Sequence, residues 1–324
     1  MKDFVFIFGK NTNPYFNLAS EEYLLKNTDK NIIYIWQNEP SVIVGINQNA
    51  LSEVNLDYTQ KNDIKVVRRQ TGGGAVYHDL GNVCYTIIAP YDNEINHYAE
   101  FTAPVIEYLS SLGIKAEFSG RNDLLVDGKK ISGTAQTVYK NRILFHGTLL
   151  FDSNVSAIEK ALMPNKLKLS AKGIKSVKSR VTNICEHLNT KMSVKEFISG
   201  LKDRLTNRYA LYEFSNEDLV AINKLVEEKY STYEWNIGYS PKTQYKIDAS
   251  FSFGILTVCF DLNAGIIENA KIYGDFFAQG SIDKFEKALN GKKFVKDDLE
   301  LAFFGIEKVI KGAFAQEIAS KLLG

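Results

Sequence analysis

The densest concentration of reactive side chains lies in RRQTGGGAVYHD, residues 68–79. Three consecutive glycines stabilise neither helix nor strand, because each loses more backbone entropy on folding than any other residue. What they offer is close approach. Without Cβ atoms, successive N–H groups can face an anion, and Arg68 and Arg69 at the head of the turn add charge-assisted donors. The plain alternative is a glycine-rich turn. The spacing is neither GxxxxGK[ST] nor strand–GxGxxG–helix, since strand-like residues follow, so no generic nucleotide label attaches to it. His78, at the end of the segment, suits hydrogen bonding or capping better than catalysis. Five of the seven arginines, Arg68, Arg69, Arg121, Arg142 and Arg180, fall in one stretch of a chain that otherwise uses lysine. Guanidinium matches carboxylate and phosphate geometry, so that stretch is a candidate anion site.

A second segment, GRNDLLVDGKKISGTAQ, spans residues 120–136. Strand alternation sets Lys130 on the face opposite Lys129 and Ile131, so one lysine of the pair can point inward as a fixed charge without a carboxylate partner. Two exposed edge lysines are the alternative. Asp123 can hold Mg²⁺ between phosphate oxygens, or cap the turn. His146 reads as a structural strand residue. The four histidines lack paired spacing and the three cysteines are scattered, which argues against zinc and against disulfides. The stretch 166–181 is rich in lysine and has no acid. It is a solvated surface or a lid ordered by a phosphate-bearing ligand; without a base-stacking aromatic it is a poor nucleic-acid contact.

These residues need a scaffold, and the periodicity supplies one. Strands are predicted at Phe4–Phe8, Ile32–Trp36, Ser41–Ile46, Ile64–Arg69 and Val83–Ile88, with helices at Leu18–Lys26 and Tyr98–Leu112. Asp127-Gly128 and Lys140-Asn141 each join two apolar strands as hairpin turns; Asp-Gly is a strong signal because both central residues take positive φ. Helices follow at Val155–Leu162, Val194–Arg208 and Asn216–Lys229. A boundary is expected at 238–242, then strands at Tyr245–Phe251, Ile255–Asp261 and Ile266–Tyr273, and helices at Ile282–Leu289, Lys296–Phe304 and Ile306–Leu323.

Composition agrees with a folded body. With 324 residues, 45% hydrophobic and 24% charged, the chain suits two globular domains and excludes disordered or fibrous classes. The net charge of +1 gives no general attraction to nucleic acid or membrane. No apolar run approaches the roughly 18 residues that span a bilayer, and the start lacks signal-peptide features, so a cytoplasmic protein is expected.

Taken together, these segments resemble lipoate-protein ligase. The pieces stand in family order: NPYFNLASEE at 13–22, WQNEPSVIVGINQNA at 36–50, RRQTGGGAVYHDLGN at 68–82, GRNDL at 120–124, GKKISGTAQ at 128–136, FHGTLL at 145–150, KGIKSVKSRVTNI at 172–184 and WNIGYSP at 235–241. The resemblance implies an α+β fold: a biotin/lipoate ligase-like mixed β-sheet domain with flanking helices over residues 1–240, and a small C-terminal α+β accessory domain over 241–324. It implies an ATP-dependent enzyme that converts lipoate and MgATP to lipoyl-AMP and pyrophosphate. The lipoyl group then passes to a lysine of a lipoyl carrier domain, in a 2-oxoacid dehydrogenase E2 or a glycine-cleavage H protein.

Residue by residue, the family's essential lysine falls on Lys130 and its adenylate-contacting arginine on Arg69. Substrate and adenylate contacts fall on Gly73, Gly74, Ala75, Val76, Tyr77 and His78, with the backbone cradle at 74–77. The nucleotide and Mg²⁺ position falls on Asn122 and Asp123, and the adenylate-binding loop on Lys172 to Val181, with Ser179 inside it. The apolar tail is expected between the helix around Leu18 and the strands near Val44 and Val76. Gln70 stands where many relatives carry a third arginine, leaving Arg68 and Arg69 as the pair, and Tyr77 adds a hydroxyl expected near the adenine side.

One rival is a lipoyl or octanoyl transferase of the same fold, working from a preactivated donor through a thioester. Such relatives carry a nucleophilic cysteine upstream of the lysine hairpin, and 113–130 contains none. A non-catalytic binder is the other, and it would be expected to lack one of Arg69, Lys130 and Asp123.

Overall fold

The computed structural model describes residues 3–91, 98–119, 122–162, 180–238, 245–263 and 265–323. Its spine is an eight-stranded mixed sheet in the order β11-β1-β2-β6-β10-β9-β8-β7. The ranges are β1 Phe4–Phe8, β2 Asn31–Trp36, β6 Asn82–Pro90, β7 Glu117–Ser119, β8 Asp123–Val126, β9 Lys129–Tyr139, β10 Arg142–Leu150 and β11 Ala210–Leu211. A small sheet, β4 (Lys65–Arg68), β3 (Ser41–Val44) and β5 (Val76–His78), stands apart from it. A third sheet, β12 (Tyr245–Phe251), β13 (Gly254–Asn263) and β14 (Ile266–Gly274), belongs to the C-terminal region and has its own core with helices beyond it.

Central strands of the large sheet are apolar on both faces because both are covered. In β2, Ile33 and Ile35 join one core while Ile32, Tyr34 and Trp36 join another, beneath helix α1 (Pro14–Asn27). This split follows from the two-residue period of a strand. The start of α1 is fixed by Asn13, whose side chain accepts from the Tyr15 N–H, with Pro14 at the first helical position. Register then places Thr86 of β6 between Tyr34 of β2 and His146 of β10, on the face that α1 covers.

The hairpin β8–β9 turns at Asp127 and Gly128, both with positive φ (49° and 74°), as the Asp-Gly signal requires. Its ladder is irregular. Leu124 pairs with Ser132 but Leu125 with Lys130, so Ile131 is an extra residue on β9. Such a bulge bends the strand and re-aims a side chain, here that of Lys130.

Most expected elements lie within a few residues of their observed bounds. The final helix differs: Ile306–Lys308 is a short 3₁₀ turn and the helix runs only over Ala315–Leu323. Gly312 takes φ 84° between them, a left-handed conformation that ends a right-handed helix. Two short helices were not expected, Ala50–Glu53 and Leu56–Lys61, capped by the side chains of Asn49 and Asn55. Neither is long enough to show helical periodicity.

Candidate active site

Arg69 follows β4 and is almost wholly buried. Its Nε donates to Thr71 Oγ1 at 2.8 Å, Nη1 to the Ile43 carbonyl at 3.1 Å, and Nη2 to the carbonyls of Gly72 at 2.5 Å and Gly74 at 3.0 Å. The guanidinium therefore shapes the glycine loop by gathering its carbonyls. Burial pulls its pKa down to about 10, a fall that Glu21 opposes and Arg68 adds to, and it stays a cation at neutral pH. The packing tolerates no side chain at Gly45, where a Cβ would lie 2.2 Å from the Gly73 carbonyl oxygen. From the C-terminal region, Gly274 N–H donates to the Asn47 carbonyl, and the Phe277 ring lies 3.4 Å from where a Gly73 Cβ would be.

The loop forms one wall of a cavity of about 150 Å³. Gly73, Gly74, Ala75 and Arg69 stand at one side, Lys130, Asn122 and Gly133 at another, and Leu18, Trp36, Ile43, Val76 and Cys84 make an apolar recess. Lys130 enters because residue 133 is glycine: a Cβ there would lie 2.8 Å from its Nζ. Val181 pairs with Lys130 as an isolated parallel bridge, and the Thr182 N–H donates to the Lys130 carbonyl at 3.0 Å. The cavity thus joins a dry slot to a polar mouth carrying a cation, the arrangement that suits an apolar chain ending in an acid.

Several expectations need correction. Lys130 does have a carboxylate partner, since its Nζ lies 2.7 Å from Asp123 Oδ1, both side chains about one-third exposed. Arg68 is not half of an anion-binding pair. It is fully buried and donates to five carbonyls, those of Gly45, Ile46, Gln48, Trp235 and Asn236, so it ties the 45–48 turn to the 235–236 segment. Strand alternation turns Val76 and His78 toward the cavity and Tyr77 away, into the core with Val42 and Leu150. Ile43 lines the recess in place of Val44 for the same reason.

Asn122 lines the cavity, and its Nδ2 donates to the Thr134 carbonyl at 2.9 Å. His78 is buried, with Nδ1 3.1 Å from Asn38 Nδ2 and no partner for Nε2 among the described residues. Burial, and then the neighbouring Arg69 charge, pull it down to about 3, so it is a neutral ring at physiological pH. Lys172 and Ser179, and nearly all of the basic stretch, lie outside the described residues.

The comparisons with known proteins bear on this geometry. The family model described as the lipoyl protein ligase A/B catalytic domain matches residues 13–206, and that of the bacterial lipoate protein ligase C-terminus matches residues 240–322. Lipoate-protein ligase LplJ of Bacillus subtilis is 43% identical over 299 residues, 90% of each chain. The chain belongs to the lipoate-protein ligase family. Lipoate–protein ligase 1 of Staphylococcus aureus is 42% identical over 285 residues, covering 86% of this chain and 87% of its own. Among solved structures, P. falciparum LipL1 in complex with lipoate matches with TM-score 0.76 and 28% identity, over 98% of both chains. A lipoate-protein ligase A bound with ATP matches with TM-score 0.63 and 27% identity, over 73% of this chain and 99% of that one. The mixed-sheet architecture is therefore that of lipoate-protein ligases.

Three residues that the sequence did not assign to the site belong to it. His146 lines the cavity, and Thr71 and Glu21 are joined to it by hydrogen bonds. All three stand inside segments that carry the family resemblance, NPYFNLASEE, RRQTGGGAVYHDLGN and FHGTLL, and that was the signal available for them. In sequence His146 reads as a structural strand residue, because its partners Glu21 and Thr71 lie far away in the chain.

Proposed function

We propose that this protein is an ATP-dependent lipoate-protein ligase with its chemistry carried by Lys130 and the Arg69-shaped glycine loop, in a catalytic region over residues 1–240 assisted by an accessory domain over 241–324. The observation that carries the reading is their meeting at one cavity with an apolar recess. Family membership and the lipoate- and ATP-bound relatives support it.

A carboxylate resists attack by an amine and must first become an electrophile. In the first step a lipoate carboxylate oxygen attacks the α-phosphorus of ATP, forming lipoyl-AMP as pyrophosphate departs. Negative charge gathers at phosphorus, where the Lys130 ammonium and the glycine loop that Arg69 shapes are placed to stabilise it. In the second step the ε-amine of a carrier lysine attacks the acyl carbon and AMP leaves. Lys130 polarises the acyl carbonyl in that step. The apolar recess of Leu18, Trp36 and Ile43 holds the tail and keeps water from the anhydride.

The residues fit Mg²⁺. No three His, Cys, Asp or Glu side chains gather into a metal cage among the described residues, but Asp123 offers one carboxylate beside the cavity mouth. That is the donor set of an ion which takes one or two carboxylates and completes its shell with phosphates and water. Bound there, Mg²⁺ would neutralise charge on the phosphates.

The thioester route is disfavoured. Burial raises the Cys84 thiol well above its ordinary value, and burial with Asp152 pushes Cys185 up to about 11, so neither is poised as a thiolate. The acceptor is a lipoyl carrier domain, of a 2-oxoacid dehydrogenase E2 or of a glycine-cleavage H protein; a solved relative is described as a lipoate protein ligase with its E2 lipoyl domain. ATP as co-substrate fits a cytoplasmic location. The test is mass spectrometry of an isolated lipoyl domain incubated with the protein, lipoate, ATP and Mg²⁺. A gain of one lipoyl group that requires ATP is expected; transfer from a preactivated acyl donor alone, with none from free lipoate and ATP, would replace the ligase by a transferase.

A further inference from the structure

Glu21 projects from α1 onto the sheet and is 3% exposed. Two chains of hydrogen bonds end on its carboxylate. In the first, Thr86 Oγ1 donates to Glu21 Oε1 at 2.5 Å, and the Trp36 indole N–H donates to Thr86 Oγ1 at 2.9 Å. In the second, His146 Nδ1 lies 2.9 and 3.1 Å from the two Glu21 oxygens, His146 Nε2 lies 2.8 Å from Thr71 Oγ1, and the Arg69 Nε–H donates to that same hydroxyl at 2.8 Å.

Donor and acceptor chemistry sets the direction of both. An ionised carboxylate only accepts, so His146 carries its proton on Nδ1. In the neutral ring Nε2 is then an acceptor, and the Thr71 hydroxyl donates to it. That leaves the Thr71 oxygen lone pairs for Arg69. Each bond polarises the next, so the arms are stiffer than isolated pairs. Sheet register makes the convergence possible by placing Thr86 opposite His146.

The ends of the arms matter because they lie in different parts of the cavity. Trp36 is a wall of the apolar recess, and Arg69 gathers the carbonyls of the glycine loop. We infer that Glu21 is a positioning residue that fixes both ends of the substrate site at once: the tail wall through Thr86 and Trp36, and the anion-binding loop through His146, Thr71 and Arg69. Resting on the ligase reading above, this assigns tail recognition and activation of the acid to two separable arms of one buried carboxylate.

Steady-state kinetics of lipoate-dependent ATP/pyrophosphate exchange separate the arms. Thr86→Val is expected to raise the KM for lipoate about tenfold and Thr71→Val to lower kcat about tenfold, the lower end of what losing an orienting partner costs, each leaving the other constant within about twofold. Glu21→Gln keeps the shape but puts an amide where both arms need an acceptor, and should show both defects. A folded Glu21→Gln protein that changes neither constant, or only one, overturns the inference. Nitrogen-15 NMR of His146 in the wild-type protein is independent of folding in the variants and of the identity of the substrate. The Nδ1–H tautomer is expected, and the Nε2–H tautomer would break the second arm. Absence of any exchange by the wild-type protein would count against the ligase reading, while the tautomer would still decide the inference.

Discussion

The Lys130 ammonium lies 2.7 Å from the Asp123 carboxylate, across the β8–β9 hairpin that also carries the bulge at Ile131. Because both side chains are about one-third exposed, the pair is a weak contributor to stability, within about 1 kcal/mol. Asp123→Asn is therefore expected to leave the thermal midpoint nearly unchanged while lowering exchange activity and raising the Mg²⁺ concentration needed for half-maximal rate. Titration of the rate with Mg²⁺ checks this.

Gly133→Ala tests how Lys130 reaches the cavity. A new Cβ would lie 2.8 Å from Nζ and 3.0 Å from Cε, at the flexible end of the lysine. The side chain can swing away at little cost, so the fold should persist while kcat falls. Gly45→Ala meets the rigid Gly73 carbonyl at 2.2 Å and should instead destabilise the protein by about 1–3 kcal/mol, measured by urea unfolding.

Arg68 and Arg69 are neighbours with different work, and substitution should separate them. Arg68→Ala leaves five buried or partly buried carbonyls without their donor, for a loss of about 3 kcal/mol or more. Arg69→Lys cannot span Thr71, Ile43, Gly72 and Gly74 together, so its main effect should fall on activity. Unfolding free energies and exchange rates of the two variants, compared side by side, test the division.

His78 makes acid stability a measurable property of the site. Its folded pKa of about 3 lies below its ordinary value of 6.5. Between those values the unfolded chain binds a proton that the folded one does not. Stability from this group is thus fully present above about pH 6.5 and falls by up to about 1.4 kcal/mol per unit as pH drops toward 3. His78→Gln should flatten that part of the stability profile, as followed by urea unfolding from pH 7 to 4.

What could be read without coordinates was local. The Asp-Gly turn, the glycine run and the alternation of β8 and β9 depend on neighbouring residues, and they marked the glycine loop with its arginines and an inward lysine at 129–130; the choice of Lys130 and Arg69 came from the family resemblance. The Lys130 partner was missed because a bulge sets its direction, and a bulge leaves no mark in the apolar pattern. Arg68 looked like a second anion ligand because adjacency resembles pairing, although its contacts lie with residues 45–48 and 235–236. The Glu21–His146 contact joins residues 125 apart. Only the pairing of β6 with β10 beneath α1 brings them together, and that is a tertiary fact.

Exchange of labelled pyrophosphate into ATP, dependent on lipoate, measures activation of the acid before any carrier takes part. The wild-type protein should sustain it and Lys130→Ala, folded as judged by its thermal midpoint, should lose it. Undiminished exchange in folded Lys130→Ala would contradict the role of that ammonium at the reacting acid.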